Sequence, residues 1–335
     1  MKAGAALAAG TVVLASLLTA GPAAPRATAP AAAQPREQLT LGVLRRDGIL
    51  IPFAAYDGNW VLPWPVSVRN LELPITLDAV PKKWWGGEPA VRWTLWPAAP
   101  GATPAPVALA APMAVLVGHE KRLGIRTDFA TAEAAPPPFE FPYPKEGLAI
   151  AGDVKVEPIA GVSKRVAAWR ELTTSLQAEI QEAEEKALVR IRSATRWSHP
   201  FSREERRAVS AELEAWYTSV LEQPGFGISY IEAVKKYPAR EDDEGCGLET
   251  FINGWVHSNS RTPQPKADLT AQIVYCDRNG VSYMLPLGRL TLKNRTHWVF
   301  QISSWEREWY SVVEATPGRV RYVAEYFAGG RVRPF

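Results

Sequence analysis

The sequence predicts an α+β protein with an antiparallel, β-rich N-terminal part, a central α-helical hairpin and a C-terminal antiparallel β-meander of sandwich or barrel type. Asp-Gly and Asn-Gly dipeptides lie between short apolar runs, which is typical of β-hairpins. In the middle of the chain, apolar residues recur at every third or fourth position, as on one face of a helix. With 335 residues and 47% apolar content, the chain is long enough to bury a large core.

Residues 1–33 have the order of a secretory signal followed by a flexible Ala/Pro tether. Lys2 precedes an apolar run over residues 5–20, and an Ala- and Pro-rich segment follows. The run is shorter than the roughly 20 residues that a membrane-spanning helix needs, so we expect cleavage near Ala23 or Ala33. The sequence therefore predicts a secreted or periplasmic protein without a stable membrane span after cleavage. A chain tethered to the membrane by an uncleaved signal is the alternative.

Residues 39–160 are predicted to form a Pro-rich β part. Asp47-Gly48 separates two apolar runs and supplies the positive φ angles of a tight hairpin turn. Prolines beyond residue 62 remove backbone donors, so the strands there should be short or at sheet edges. The stretch from Thr131 to Pro144 is typical of an extended linker or a long loop.

Residues 163–223 are predicted to form a helical hairpin. The first helix runs from Ser163 to about Ala194 with an apolar face of helical period. The second begins at Ser202, which lies three residues before Glu205 and so forms a capping box. Its apolar stripe consists of Val209, Leu213, Trp216 and Val220. The apolar face of the hairpin must be covered either by the β parts or by a partner.

Residues 226–335 are predicted to form the C-terminal β-meander domain. Its strands begin near Gly247 and are five or six in number. Three turns are predicted to connect successive strands: Asn279-Gly280, Lys293–Arg295 and Pro317-Gly318.

Cys246 and Cys276 are the only cysteines of the chain. In an exported protein they are expected to form a disulfide, and two unpaired buried thiols are the alternative. A bridge over this loop stabilises a protein by about 3 to 4 kcal/mol in the chain-entropy model.

Aromatic residues are abundant, with 13 tryptophans in the chain. Exposed rings stack on sugars or on apolar partners, whereas buried rings fill the core of a β protein. The densest cluster supplies the candidate ligand-binding residues Trp298, Trp305, Trp309 and Tyr310.

Four residues are candidates for acid and base catalysis. Alternation along a strand places Glu306 and Glu308 on one face, where two carboxylates could act on a glycosidic bond. His257 and Asp277 complete the set, and the alternative for the glutamates is a solvated strand face.

Other chemistries find no support in the sequence. It contains no nucleophile elbow, no phosphate-binding loop and no metal-ligand spacing among its four histidines, so we predict no metal site and no cofactor. Without Lys2 and Arg26, 36 basic residues balance 35 acidic ones, which excludes the strongly basic chain typical of nucleic-acid binding.

The predicted function is that of a non-enzymatic binding or scaffold module of the periplasm or cell exterior, with a glycan or a protein as its partner. The first alternative is an exported hydrolase acting on glycan or peptide. The second is a partner-binding protein that uses the helical hairpin.

Overall fold

The computed structural model describes residues 38–61, 92–97, 101–117, 120–129, 145–239, 246–304 and 307–328. All of them lie in one compact unit, residues 37–335. Every strand pairing in the described residues is antiparallel, and the helices are confined to the middle of the chain. The predicted class, a β-rich α+β protein with a central helical region, is confirmed.

The first sheet is built from the N-terminal strands. These are β1 (Leu39–Arg45), β2 (Ile49–Tyr56), β3 (Trp60–Val61), β4 (Trp93–Pro97), β5 (Ala105–Val107), β6 (Leu109–Val117), β7 (Glu120–Thr127) and β8 (Lys145–Ala151). Their order is β5-β4-β8-β1-β2-β7-β6, with β3 paired to β2. The hairpin predicted at Asp47-Gly48 is confirmed, because β1 pairs with β2 and Gly48 has a φ of 77°. The predicted linker from Thr131 to Pro144 lies outside the described residues.

Two short strands and three helices follow. They are β9 (Val156–Glu157), β10 (Ala160–Gly161), α1 (Ala167–Ser175), α2 (Gln177–Ala194) and α3 (Arg203–Ala208). The first predicted helix is present as α1 and α2, which are separated at Leu176. The predicted capping box is confirmed, since Ser202 and Glu205 exchange side-chain and backbone hydrogen bonds at the start of α3. Among the described helices, none is long and apolar enough to span a membrane.

The remaining strands form two further sheets. They are β11 (Glu212–Val220), β12 (Phe226–Lys236), β13 (Leu248–Asn259), β14 (Thr262–Tyr275), β15 (Ser282–Leu292), β16 (Arg295–Ser304), β17 (Arg307–Thr316) and β18 (Arg319–Ala328). The middle sheet has the order β18-β17-β16-β15-β9, and the third sheet the order β10-β11-β12-β13-β14. Cys246, just before β13, and Cys276, just after β14, lie at disulfide-bonding distance, with Cα atoms 5.3 Å apart.

The three sheets and the helices pack as successive layers. The two faces of strand β16 belong to different cores. Val299 lies in the core shared with the first sheet, and Trp298 and Phe300 lie in the core shared with the third. On the other face of the third sheet, Ile180 of α2 packs with Ile252 of β13. Burying each such large side chain contributes about 1.5 to 3 kcal/mol. The apolar face of the helical region is therefore covered by the third sheet.

The prediction of a long second helix is wrong. Helix α3 ends at Ala208, and residues 212–220 form strand β11, paired along its length with β12. Trp216 packs toward the helices and Tyr217 toward the middle sheet, as neighbouring residues of a strand do. Aromatic and β-branched residues fit such a surface covered on both faces, and this packing outweighs the helical spacing of the apolar residues.

The prediction that Asn279-Gly280 connects two paired strands of the C-terminal meander is also wrong. Strand β14 pairs with β13 and β15 pairs with β16, so the Asn279-Gly280 turn carries the chain from the third sheet to the middle sheet. Arg278 in this turn has a φ of 54° and forms 2.7 Å ion pairs with Glu214 and Glu249 of the third sheet. The long strand β12 was not predicted. The hairpins at Lys293–Arg295 and Pro317-Gly318 are confirmed.

Candidate functional site

The predicted aromatic ligand-binding residues lie in the core. Trp298 is 0% exposed, and its Nε1 donates a 2.8 Å hydrogen bond to Ser219 on the third sheet. Trp309 is buried on the same side of the middle sheet, and Tyr310 stacks on Phe53 of the first sheet. None of these three rings offers a face to a sugar, which corrects the predicted stacking surface. Trp305 lies outside the described residues.

Glu308 does not lie on the predicted solvated face. It points toward the first sheet with only 2% of its side chain exposed. Its carboxylate accepts a 3.1 Å hydrogen bond from Lys145 and another from the Tyr310 hydroxyl. Burial lowers the pKa of Lys145 although the charge of Glu308 acts in the opposite direction. The carboxylate is thus held in a buried ion pair. Glu306 lies outside the described residues.

His257 and Asp277 lie elsewhere. His257 is buried in β13, and burial together with the charge of Lys266 lowers its pKa. Asp277 is exposed in the turn after β14, where its carboxylate accepts hydrogen bonds from Asn279. Among the described residues, no hydrogen bond or ion pair joins any two of His257, Asp277 and Glu308. The same part of the chain holds no group of three or more potential metal ligands.

A pocket of about 640 Å³ opens at one end of the middle sheet. Two hairpin turns of that sheet, β15–β16 and β17–β18, contribute to it together with the turn between β11 and β12. It is lined by Leu221, Glu222, Gln223, Lys293, Asn294, Arg295, Thr296, Glu314, Ala315, Thr316, Pro317, Arg319 and Arg321. Four of these residues are basic and two are acidic, so we call it the basic pocket.

Local sequence explains both turns of the middle sheet. Lys293 and Asn294 have φ angles of 48° and 58°, which a two-residue turn between paired strands requires and which asparagine tolerates well. Pro317 has a restricted φ and Gly318 has a φ of 71°, the combination of a type II turn. Both turns are tight, so the basic residues beside them are placed at the very end of the sheet.

One carboxylate organises two of the guanidinium groups. Glu314 of β17 lies between Arg295 of β16 and Arg321 of β18, with N···O distances of 2.9 Å and 2.7 Å. Burial acts to raise the pKa of Glu314, but the hydrogen bond from Arg321 and the charge of Arg295 outweigh it and lower that pKa. Glu314 is therefore ionised at neutral pH and holds both guanidinium groups in place.

The other two basic groups have no carboxylate partner in the described part of the chain. The Nζ of Lys293 lies 5.5 Å from the centroid of the Tyr56 ring, a cation–π contact. Arg319 is exposed, and within the described ranges its guanidinium has neither a hydrogen bond nor an ion pair. With Glu222 and Glu314 counted against the four basic residues, the basic pocket has a net charge of +2.

Neutral polar groups complete the lining. Gln223, Asn294, Thr296 and Thr316 line the basic pocket. Thr296 is 1% exposed, and its hydroxyl has no hydrogen-bond partner among the described residues. A hydroxyl this buried is closed to a ligand, so the neutral polar groups open to the pocket are those of Gln223, Asn294 and Thr316.

The spacing of turns in the sequence already indicates this pocket. In an antiparallel meander, alternate turns lie at the same end of the sheet. The predicted turns at Lys293–Arg295 and Pro317-Gly318 are separated by one further turn, so they had to lie together. Basic residues beside both turns could have been combined into one candidate surface.

No similarity to a known protein bears on this site. Comparison of the chain with models of protein families, with curated proteins and with solved structures finds no match.

Proposed function

We propose that this chain is an exported, non-enzymatic binding protein that acts in the periplasm or outside the cell, and that the basic pocket binds an anionic ligand there. One observation carries this proposal: four basic side chains line a single concave site, and two carboxylates oppose them among the described residues. Guanidinium groups favour oxyanions because their planar donors match two acceptor oxygens.

Two further observations favour binding over the alternatives. The described candidates for catalysis, His257, Asp277 and Glu308, lie apart, which gives a hydrolase no assembled acid and base. The apolar face of the helical region packs on the third sheet, so a partner is not needed to cover it.

Export is expected to leave two chemical marks on the protein. N-terminal sequencing of the chain from its host should find a mature start at Ala24 or Gln34, because both follow small residues typical of signal cleavage. Cys246 and Cys276 should resist alkylation until a reductant is added, since an oxidising compartment keeps such a pair closed. An intact N-terminus together with two alkylatable thiols would contradict export, whereas an intact N-terminus with oxidised cysteines would support the membrane-tethered alternative.

Dextran sulfate is expected to bind the basic pocket, and neutral dextran is not. Thermophoresis of the mature chain should show saturable binding that weakens as salt is raised. The double variant Arg319→Glu/Arg321→Glu turns the net charge of the pocket from +2 to −2 and should abolish binding. The dextran sulfate should be recovered with unchanged chain length, as a non-enzymatic protein requires.

A matched control separates the pocket from general charge. Arg192→Glu/Arg196→Glu makes the same change in total charge at exposed positions in and just beyond the end of α2. This control should retain most of the binding. Equal loss in both double variants, or no binding by the original chain, would overturn the assignment of the pocket.

A further inference from the structure

We infer that the ligand of the basic pocket is an acidic polysaccharide whose carboxylates are contacted from two sides of the pocket, an inference that rests on the proposed function. The two sides are defined by the strands. Lys293 and Arg295 lie at the β15–β16 turn, and Arg319 and Arg321 lie on β18. We call them the β16 side and the β18 side.

The spacing of the two sides favours a ligand with repeated charges. Strand β17 separates β16 from β18, and each step between neighbouring strands is about 4.8 Å, so the two sides are about 10 Å apart. Glu314 lies between them, and Arg295 on one side and Arg321 on the other share its single negative charge. The groups without a carboxylate partner among the described residues are Lys293 on the β16 side and Arg319 on the β18 side. A single small anion can reach only one of these two groups, whereas a chain of anionic units can reach both.

The pocket itself indicates which oxyanion it suits. The carboxylate of Glu314 is bound between the guanidinium groups of Arg295 and Arg321, which shows that these side chains are arranged around a carboxylate. Three of the four basic residues are arginines, whose forked donors match carboxylates in pairs.

The neutral lining favours a glycan over an acidic peptide. The amides of Gln223 and Asn294 and the hydroxyl of Thr316 are groups that hydrogen-bond to sugar hydroxyls. Within the described lining, apolar surface comes only from Leu221, Ala315 and Pro317, which is little for the side chains of a peptide.

Tetragalacturonate and galacturonate test this inference by calorimetry on the mature chain. The tetramer should bind at least about tenfold more tightly than the monomer, because it engages both sides at once. Lys293→Ala, on the β16 side, and Arg319→Ala, on the β18 side, should each reduce tetramer binding to near that of the monomer. Neither residue pairs with Glu314, so both variants should remain folded, with Lys293→Ala losing only the cation–π contact to Tyr56.

Two further probes, tetraglutamate and linear polyphosphate, add to the outcomes that would overturn it. If tetragalacturonate binds no more tightly than galacturonate, the pocket does not contact its ligand from two sides. Tetraglutamate that binds as tightly as tetragalacturonate makes the ligand an acidic peptide, and linear polyphosphate that binds more tightly makes it a phosphate polymer. If dextran sulfate binds through the pocket while tetragalacturonate fails, the proposed function stands without this ligand class; if no anionic probe binds, both fall.

Discussion

Replacing Glu308 with leucine is expected to lower the free energy of unfolding by about 3 to 5 kcal/mol, because the change removes the carboxylate that pairs with the buried ammonium group of Lys145 and accepts a hydrogen bond from Tyr310. Both side chains are almost fully buried between the first and middle sheets, at 1% and 2% exposure. A charge in that position cannot regain hydration without opening the contact between the sheets. Urea denaturation of the protein at neutral pH measures the loss.

The double variant Lys145→Met/Glu308→Leu is the matched control. It removes both charges and keeps the volume of the site, so it should recover the stability lost in the single variant apart from the hydrogen bond between Tyr310 and Glu308. Dextran sulfate binding should be unchanged in every folded variant, since Glu308 does not line the basic pocket. A double variant as unstable as Glu308→Leu would show that the ion pair is not the source of the effect.

The ion pair of Lys145 and Glu308 could not be predicted from the alternation of residues along a strand. Alternation correctly separates Glu308 from Trp309 on opposite faces of β17. It cannot say that both faces are covered, because that depends on the first sheet, far away in sequence, packing on the middle sheet. The partner that makes a buried carboxylate tolerable, Lys145, is 163 positions away.

The hairpins show where local sequence was sufficient and where it was not. Asp47-Gly48 and Pro317-Gly318 connect strands that pair with each other, because turn chemistry and alternation agree there. At Asn279-Gly280 the turn forms, but Arg278 binds two glutamates of the third sheet while β15 pairs with β16. Turn residues thus predict a reversal of the chain and not the partner of the next strand.

The sequence alone predicts only part of the candidate site. Trp298 and Trp309 belong to a dense aromatic cluster that was predicted to bind a ligand. Both are instead core residues, because the packing of three sheets requires large side chains on both faces of the middle sheet. The basic residues of the pocket are ordinary in type and become notable only when Arg295, Glu314 and Arg321 lie in one row across three strands.

Glu232 is expected to make the protein less stable as the pH rises from about 4.5 to above 7. It lies on β12, faces the middle sheet with 5% of its surface exposed, and accepts a 2.7 Å hydrogen bond from the backbone N–H of Met284. No ion pair to it exists in the described residues. Burial raises its pKa to about 7, since the Met284 hydrogen bond and the charge of Arg278 only partly oppose this.

The direction of this pH dependence follows from the pKa of Glu232 in the folded and unfolded states. The folded protein holds the proton of Glu232 more tightly than the unfolded chain, where the pKa is near 4.5. The stabilising contribution is therefore complete below pH 4.5 and is lost as the pH rises through about 7. A pKa of about 7 in place of 4.5 corresponds to about 3 kcal/mol, an effect close to that of the buried ion pair.

Glu232→Gln keeps an acceptor for Met284 and cannot ionise, so it should match the original chain near pH 4 and exceed its stability by about 2 to 3 kcal/mol at pH 8. The difference between the two proteins in urea denaturation isolates Glu232 from buried histidines, which titrate equally in both. Glu214→Gln serves as a control of opposite sign, because the hydrogen bond from Arg278 lowers the pKa of Glu214 and its loss should destabilise the protein at pH 8. If the difference in unfolding free energy between the original chain and Glu232→Gln stayed constant from pH 4 to 8, Glu232 would not be a buried carboxyl group that holds its proton between the middle and third sheets.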